Sequence, residues 1–306
     1  MVAVVTIRKR LVGTRQYFYL HHTLRTADGF QAREKYLGAK LPHNIEEVKR
    51  EFLGEIYKER WYPLLDAIRA NYTRELRTMP QSAIEKNARY FAVKFTYDTN
   101  RIEGSSLTYR ETANLLERGL SPRSRPVGDI KEAEAHNRVL REVLEYDRDL
   151  TLQIILHWHK QLFAETKPAY AGKIRAHQVW ISGSRFTPPS PAEVYPLLRE
   201  FFRWYARTKG SSHPVELAAA VHLRFVTIHP FYDGNGRVSR LLMNFVLKKH
   251  GFPLLDIPYG DRMSYYNALE RSQAKNTDMV FVQWFIKRYL REYARYTGGK
   301  GRSGTR

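Results

Sequence analysis

Pro214–Ile228 is apolar nearly all round, through Val215, Leu217, Ala218, Ala219, Ala220, Val221, Leu223, Phe225, Val226 and Ile228. A helix of that kind offers no face to water, so it has to be central and buried. Directly after it comes His229-Pro230-Phe231-Tyr232-Asp233-Gly234-Asn235-Gly236-Arg237-Val238-Ser239-Arg240. His229 therefore stands at the end of a rigid element, just before a loop, with the fixed position and access that a reactive side chain needs.

The loop reads as an anion site. Gly234-Asn235-Gly236 opens a second helix that runs on through Leu241, Leu242, Phe245 and Val246. Glycines let the backbone approach a ligand, and the unpaired N–H groups of the first turn point at it along a favourable dipole. Arg237 and Arg240 are three apart and share a face, which suits a polyphosphate. Asp233, beside this positive charge, reads as a ligand of Mg²⁺ that also bridges phosphates; the plainer reading is that it pairs with an arginine.

The chain has 306 residues, 43% of them apolar, a net charge of +20 and no cysteine. Disulfides and thiolate metal sites are excluded, and no window approaches the roughly 18 apolar residues of a membrane span. Met1 to Leu11 has its basic residues after the apolar run, the reverse of a secretory signal, so a cytoplasmic protein without a membrane partner is expected. Residues 1–42 read as a three-stranded antiparallel meander, Val2–Arg10, Gln16–Leu24 and Phe30–Leu37, with turns at Val12-Gly13-Thr14 and Ala27-Asp28-Gly29. Its aromatics Tyr17, Phe18 and Tyr19 are expected to pack the sheet on the helical body and its basic residues to be solvated, with strand binding to nucleic acid as the other reading.

From Asn44 the pattern is helical to about 296: one long helix or a pair broken near Pro63, then a helix over about 82–103, then Thr108–Arg118, Gly128–Tyr146, Thr151–Glu165, Pro191–Thr208, Pro214–Ile228, Gly236–Lys249, Met263–Gln273 and Asp278–Arg295. Ala171–Pro189 interrupts it as a hairpin or flap, and 297–306 read as a disordered tail. His157-x-His159 puts two imidazoles on different helix faces and does not make a metal site.

The stretch His229–Arg240 resembles the Fic family signature, His-x-Phe-x-Asp/Glu-Gly-Asn-Gly-Arg-x-x-Arg, at every specified position. The resemblance covers roughly Glu85 to Arg291, with a Fic core over about 108–291, and leaves the meander out. It implies a mainly α fold: a Fic-type helical core with a β-hairpin flap, preceded by the small β-meander. The activity it implies is transfer of AMP from ATP, with Mg²⁺, to a hydroxyl of a target protein bearing Ser, Thr or Tyr. By matched position, His229 would deprotonate that hydroxyl and Asp233 would hold the metal. Gly234, Asn235, Gly236 and Arg237 would cradle phosphates, Arg240 would reach the γ-phosphate, and Phe231 would anchor the loop.

Val179, Trp180, Ile181 and Ser182 look like the flap that registers a target segment by strand pairing, and Tyr266 lies where the family often places an aromatic near adenine. Thr99-Asn100-Arg101-Ile102-Glu103-Gly104 looks like the family's inhibitory motif, in which Glu103 would pair with Arg240 and occupy the space of the γ-phosphate. The resemblance leaves open removal of AMP, with Glu103 activating water, and γ-phosphate transfer as in Doc-like kinases, where lysine typically replaces the residue at Gly236. A nucleic-acid-binding regulator with a Fic core is the reading from another class. Self-modification and a homodimer are further possibilities on the partner side.

Overall fold

A computed structural model describes residues 5–26 and 29–298. The first residues of the expected strand at Val2–Arg10, the turn residues Ala27 and Asp28, and 299–306 of the expected tail lie outside the described residues. The chain divides into two compact units, Met1–Leu64 and Leu65–Arg306.

In the first unit β1 (Thr6–Val12), β2 (Arg15–Thr26) and β3 (Gly29–Gly38) form an antiparallel meander in the order β1-β2-β3. Period-2 alternation decides what each face touches. Val5, Leu20 and Leu24 are buried against Phe52 and Ile56 at the start of α1 (Ile45–Thr78). Arg33 and Lys35 reach the same helix, pairing with Glu59 at 2.9 Å and Glu55 at 3.4 Å. Tyr17 and Tyr19 take the opposite face. Of the three aromatics expected to pack the sheet on the helices, only Phe18, half-buried and alternating with Leu20 and Leu24, is on the α1 side.

α1 continues without a break through Pro63. A mid-helix proline costs about 3 kcal/mol, but Phe52, Ile56 and Trp61 before it and Leu65 and Ile68 after it are all buried. Packing on both sides outweighs the lost hydrogen bond.

The second unit is helical: α2 (Gln81–Ile102), α3 (Tyr109–Arg118), α4 (Val127–Glu145), α5 (Leu152–Phe163), α6 (Pro191–Thr208), α7 (Pro214–Ile228), α8 (Asn235–Lys249), α9 (Arg262–Ala274) and α10 (Met279–Glu292). α7 and α8 are its central pair; α6 and α10 pack on α7, α4 and α5 on α8, and α2 on α4. No described helix is long and apolar enough to cross a membrane.

Between α5 and α6 the chain has no strand ladder, so the expected hairpin is a flap of two irregular arms. Ser184 N–H donates to the Ile181 carbonyl at the turn, 3.1 Å. Pro188 and Pro189 have no N–H to give a ladder, and side chains join the arms instead: Gln178 Nε2 donates to the Pro188 carbonyl at 2.9 Å and Arg175 to that of Pro189 at 2.5 Å.

Candidate active site

α7 ends because His229 adopts a left-handed backbone, φ 52°. That region is uncommon for a residue with a side chain and persists only where surroundings enforce it. Here Arg175 enforces it: its Nε donates to the His229 carbonyl at 2.8 Å and its backbone N–H to that of Pro230 at 3.0 Å. Next in the chain, Phe231 is fully buried and stacks on His159 at 3.7 Å.

The His229 ring is half-buried, with Nδ1 3.2 Å from the Val226 carbonyl. A carbonyl can only accept, so Nδ1 carries the hydrogen and Nε2 keeps a lone pair. Burial, joined by the Arg175 charge, pushes the imidazole below its ordinary 6.5. At neutral pH it is an uncharged base.

The loop after it is locked from within. Asn235 is buried and uses both ends of its amide on Phe231: Oδ1 accepts from the backbone N–H and Nδ2 donates to the carbonyl, each at 2.9 Å. Its contribution is therefore the shape of the loop. Gly234 needs φ 81°, and a Cβ there would collide with the Phe163 ring. Gly236 is needed for space alone: a Cβ would collide with Glu103 Oε1 and stand 3.0 Å from Arg240 Nη1. A carboxylate thus rests over the first turn of α8, where an anion is best accommodated.

Both arginines of this turn meet carboxylates, Arg240 one and Arg237 two. Arg240, 1% exposed, donates to Glu103 Oε1 at 2.5 Å, Thr99 Oγ1 at 2.8 Å, the Thr99 carbonyl at 3.3 Å and the Tyr265 hydroxyl at 3.4 Å. That hydroxyl is 3.0 Å from His222 Nε2. Glu103 is placed by the end of α2: Gly104, at φ 99°, lets its own N–H bond the Arg101 carbonyl (3.2 Å) and that of Ser105 the Asn100 carbonyl (3.0 Å), a Schellman cap. Tyr266, on α9, is partly exposed and donates to the Ile102 carbonyl at 3.1 Å, beside the same helix end.

Arg237 belongs to a balanced four-charge network. It pairs with Glu132 on α4 and, at 3.0 Å, with Asp233, while Lys167 Nζ lies 2.7 Å from each of these carboxylates. Burial would raise the Asp233 carboxyl, but Arg237, Lys167 and the Gly234 N–H more than offset it and hold it at about 2. Glu132 is likewise held below the usual range, against its burial, by Arg237 and Lys167. Arg237 Nε is buried and makes no hydrogen bond.

Three residues of this arrangement, Glu132, Lys167 and Arg175, carry no signal in the sequence, and His159 stands out there only as half of an unsuitable metal pair. Glu132 is 105 positions from Arg237, and Lys167 is 66 from Asp233. His159 is a buried strut. Its Nδ1 accepts from the Gly172 N–H at 2.9 Å and its Nε2 donates to the Asp233 carbonyl at 3.0 Å, and burial drops its pKa to about 4. His157 is exposed and pairs with Glu142; among the described residues no group of three His, Cys, Asp or Glu could hold a metal. In the flap, Val179 and Ile181 are half-buried and Trp180 and Ser182 exposed, Trp180 at 77%.

The Fic/DOC family model matches residues 149–247, from just before α5 to near the end of α8, with His229, the glycine loop and both arginines inside it. Over these residues the chain is similar to the Fic/DOC family. Curated relatives named protein adenylyltransferase Fic include those of Drosophila ananassae and Drosophila melanogaster, each 35% identical over 60% of this chain. The chain spans under two-fifths of their length, 37% and 38%. Among solved structures, Fic-1 of C. elegans matches with a TM-score of 0.70 at 26% identity, over 86% of this chain and 79% of that one. A Fic domain containing signaling protein from Bacteroides thetaiotaomicron matches with a TM-score of 0.67 at 28% identity, over 75% of this chain and 95% of that one. Both matches cover far more of the chain than the residues of the family model.

Proposed function

We propose that this chain transfers AMP from ATP to a hydroxyl of a protein side chain, and that Glu103 holds the transfer in check. The observation that carries the proposal is the position of Glu103. Its carboxylate already occupies the anion seat made by Gly236 and Arg240, next to the α8 turn that would receive phosphates. The names of the relatives support the class of reaction.

In the proposed reaction His229 Nε2 takes the proton of the target hydroxyl, whose oxygen attacks the α-phosphorus of ATP. The oxygen–phosphorus bond to pyrophosphate breaks, and pyrophosphate leaves with its electron pair. Positioning and charge neutralisation supply most of the acceleration. Arg237, with one buried N–H unspent, serves the departing phosphates, and Arg240, once free of Glu103, serves the γ-phosphate. The Asp233 carboxylate, ionised and partly exposed, fits a Mg²⁺ ligand, since that ion needs only one or two protein carboxylates beside substrate oxygens. When bound, the metal would add charge neutralisation at the phosphates; Lys167 holds the same carboxylate in its absence.

Gly236 favours AMP transfer over γ-phosphate transfer of the Doc type. A lysine there could not coexist with Glu103 in its observed place. The test is incubation of Glu103→Gly with ATP labelled at the α- or the γ-phosphate. The proposal expects protein-bound label from the α position alone, and none in Glu103→Gly/His229→Ala. Label from the γ position would assign a kinase. Removal of AMP from a pre-modified protein by the wild type, lost in Glu103→Gly, would assign Glu103 to activating water.

A further inference from the structure

We propose that the open face of the N-terminal sheet binds a single strand of nucleic acid. The face is the one turned away from α1. Register places Arg8 beside Tyr19, Tyr19 beside Tyr36, and Arg10 beside Tyr17, with Arg15 at the end of the row. The three tyrosine rings form a cluster: Tyr19 and Tyr36 lie 5.2 Å apart and Tyr17 and Tyr36 6.1 Å, at interplanar angles near 50°. Tyr36 is 56% exposed, and Arg8, Arg10 and Arg15 are exposed.

A sheet needs hydrophobic residues on its packed face and polar ones on its wet face. This sheet has aromatic rings on the wet face, grouped and not scattered, and a grouped apolar patch marks a contact site. Its chemistry selects the occupant. Residues 1–42 hold eight lysines and arginines against two acids. Glu34 is the one acid among the described sheet residues, and Arg10 already engages it at 2.7 and 2.8 Å. The same guanidinium lies 4.8 Å over the Tyr19 ring. Rings that accept flat bases, flanked by guanidinium groups that accept phosphates, make the platform used for single strands. An acidic peptide would answer the arginines but leave the tyrosines without a role.

The experiment is fluorescence anisotropy of a labelled single-stranded oligonucleotide of about twelve nucleotides, as RNA and as DNA, titrated with the full chain. The expected result is saturable binding that weakens steeply with salt. Tyr17→Ala and Tyr36→Ala each weaken it by about tenfold. Arg8→Glu/Arg15→Glu weakens it and flattens the salt dependence. Tyr36→Phe, which keeps the ring, binds as the wild type does and so separates lost stacking from lost fold. α-Phosphate labelling by Glu103→Gly stays unchanged in the tyrosine variants, so this test and that of the proposed reaction fail independently. Absence of saturable binding would overturn the proposal. So would tyrosine variants that bind like the wild type, loss of binding in Tyr36→Phe, equal affinity for the annealed duplex, or displacement of the strand by polyglutamate at matched charge.

Discussion

Arg237 and Arg240 stand one turn apart on α8, and each meets a carboxylate, yet the two settings differ in kind. Arg237 is one of four charges, two of each sign, drawn from α4, the segment after α5, the loop and α8 itself. Removing any one leaves the others partly compensated. Arg240 has a single acid, Glu103, the last residue before the glycine that ends α2. Its remaining partners, Thr99 and Tyr265, are neutral and would keep the guanidinium in place without Glu103. A balanced network is architecture, whereas a lone pair on a helix end is a contact that can be exchanged for another anion.

Opposite signs from two like substitutions would sharpen this contrast, and they are the largest effects expected. Glu103→Gln should raise AMP transfer by about 10–150-fold, the worth of one charge-assisted hydrogen bond. Glu132→Gln in the Glu103→Gly background should lower it and reduce the melting temperature by several degrees, because Arg237 and Lys167 lose an acid inside a buried network. Labelling rates and thermal melts measure both. A gain from Glu132→Gln would dissolve the distinction.

The next effect concerns what holds the base. Arg175 is 2% exposed and serves the carbonyls of His229, His177 and Pro189, tying both arms of the flap to the end of α7. Lysine cannot reproduce three directed donors. Arg175→Lys should cost roughly 10–100-fold, in kcat more than in the KM for ATP, since the loss is one of alignment. A change confined to KM would place Arg175 in nucleotide binding instead.

The smallest is a pH effect. The proposed transfer needs His229 neutral, and burial has lowered its pKa in the fold. As pH falls, the ring stays neutral past the point where an ordinary histidine would protonate. The acid limb of the single-turnover rate should therefore lie below pH 6.5, with less than about a twofold change from 6.5 to 7.5. A limb above 6.5 would mean that the charge near His229 is negative on balance.

The contrast also explains what could be read from the chain alone. His229, Asp233, the glycines and both arginines are contiguous, and the burial of α7 follows from its composition, so that part of the site was legible. Glu103 could be singled out only through the resemblance of Thr99–Gly104 to the family's inhibitory motif, since a Glu-Gly pair at a helix end is by itself commonplace. Glu132 and Lys167 were not legible: they are ordinary surface-type residues in their own segments and acquire a role only when α4 and the turn after α5 pack beside the loop. Asn235 could be placed in the loop, but not the two hydrogen bonds to Phe231 by which it holds the loop backbone. The flap was located by its prolines and glycines, but those prolines also deny it the ladder that its extended sequence suggested. Pro63 left one long helix and a broken pair both open, and the buried residues on both sides carry the helix across it.

The claim at the centre is that Glu103 and the terminal phosphate compete for Arg240. Calorimetric titration of the wild type and Glu103→Gly with ATP and with ADP tests it most directly. The account predicts that the wild type binds the two nucleotides within about threefold of each other, and that the variant prefers ATP by about tenfold or more, the increment of one charged hydrogen-bonded contact. An ATP/ADP ratio that is the same in both proteins would contradict it.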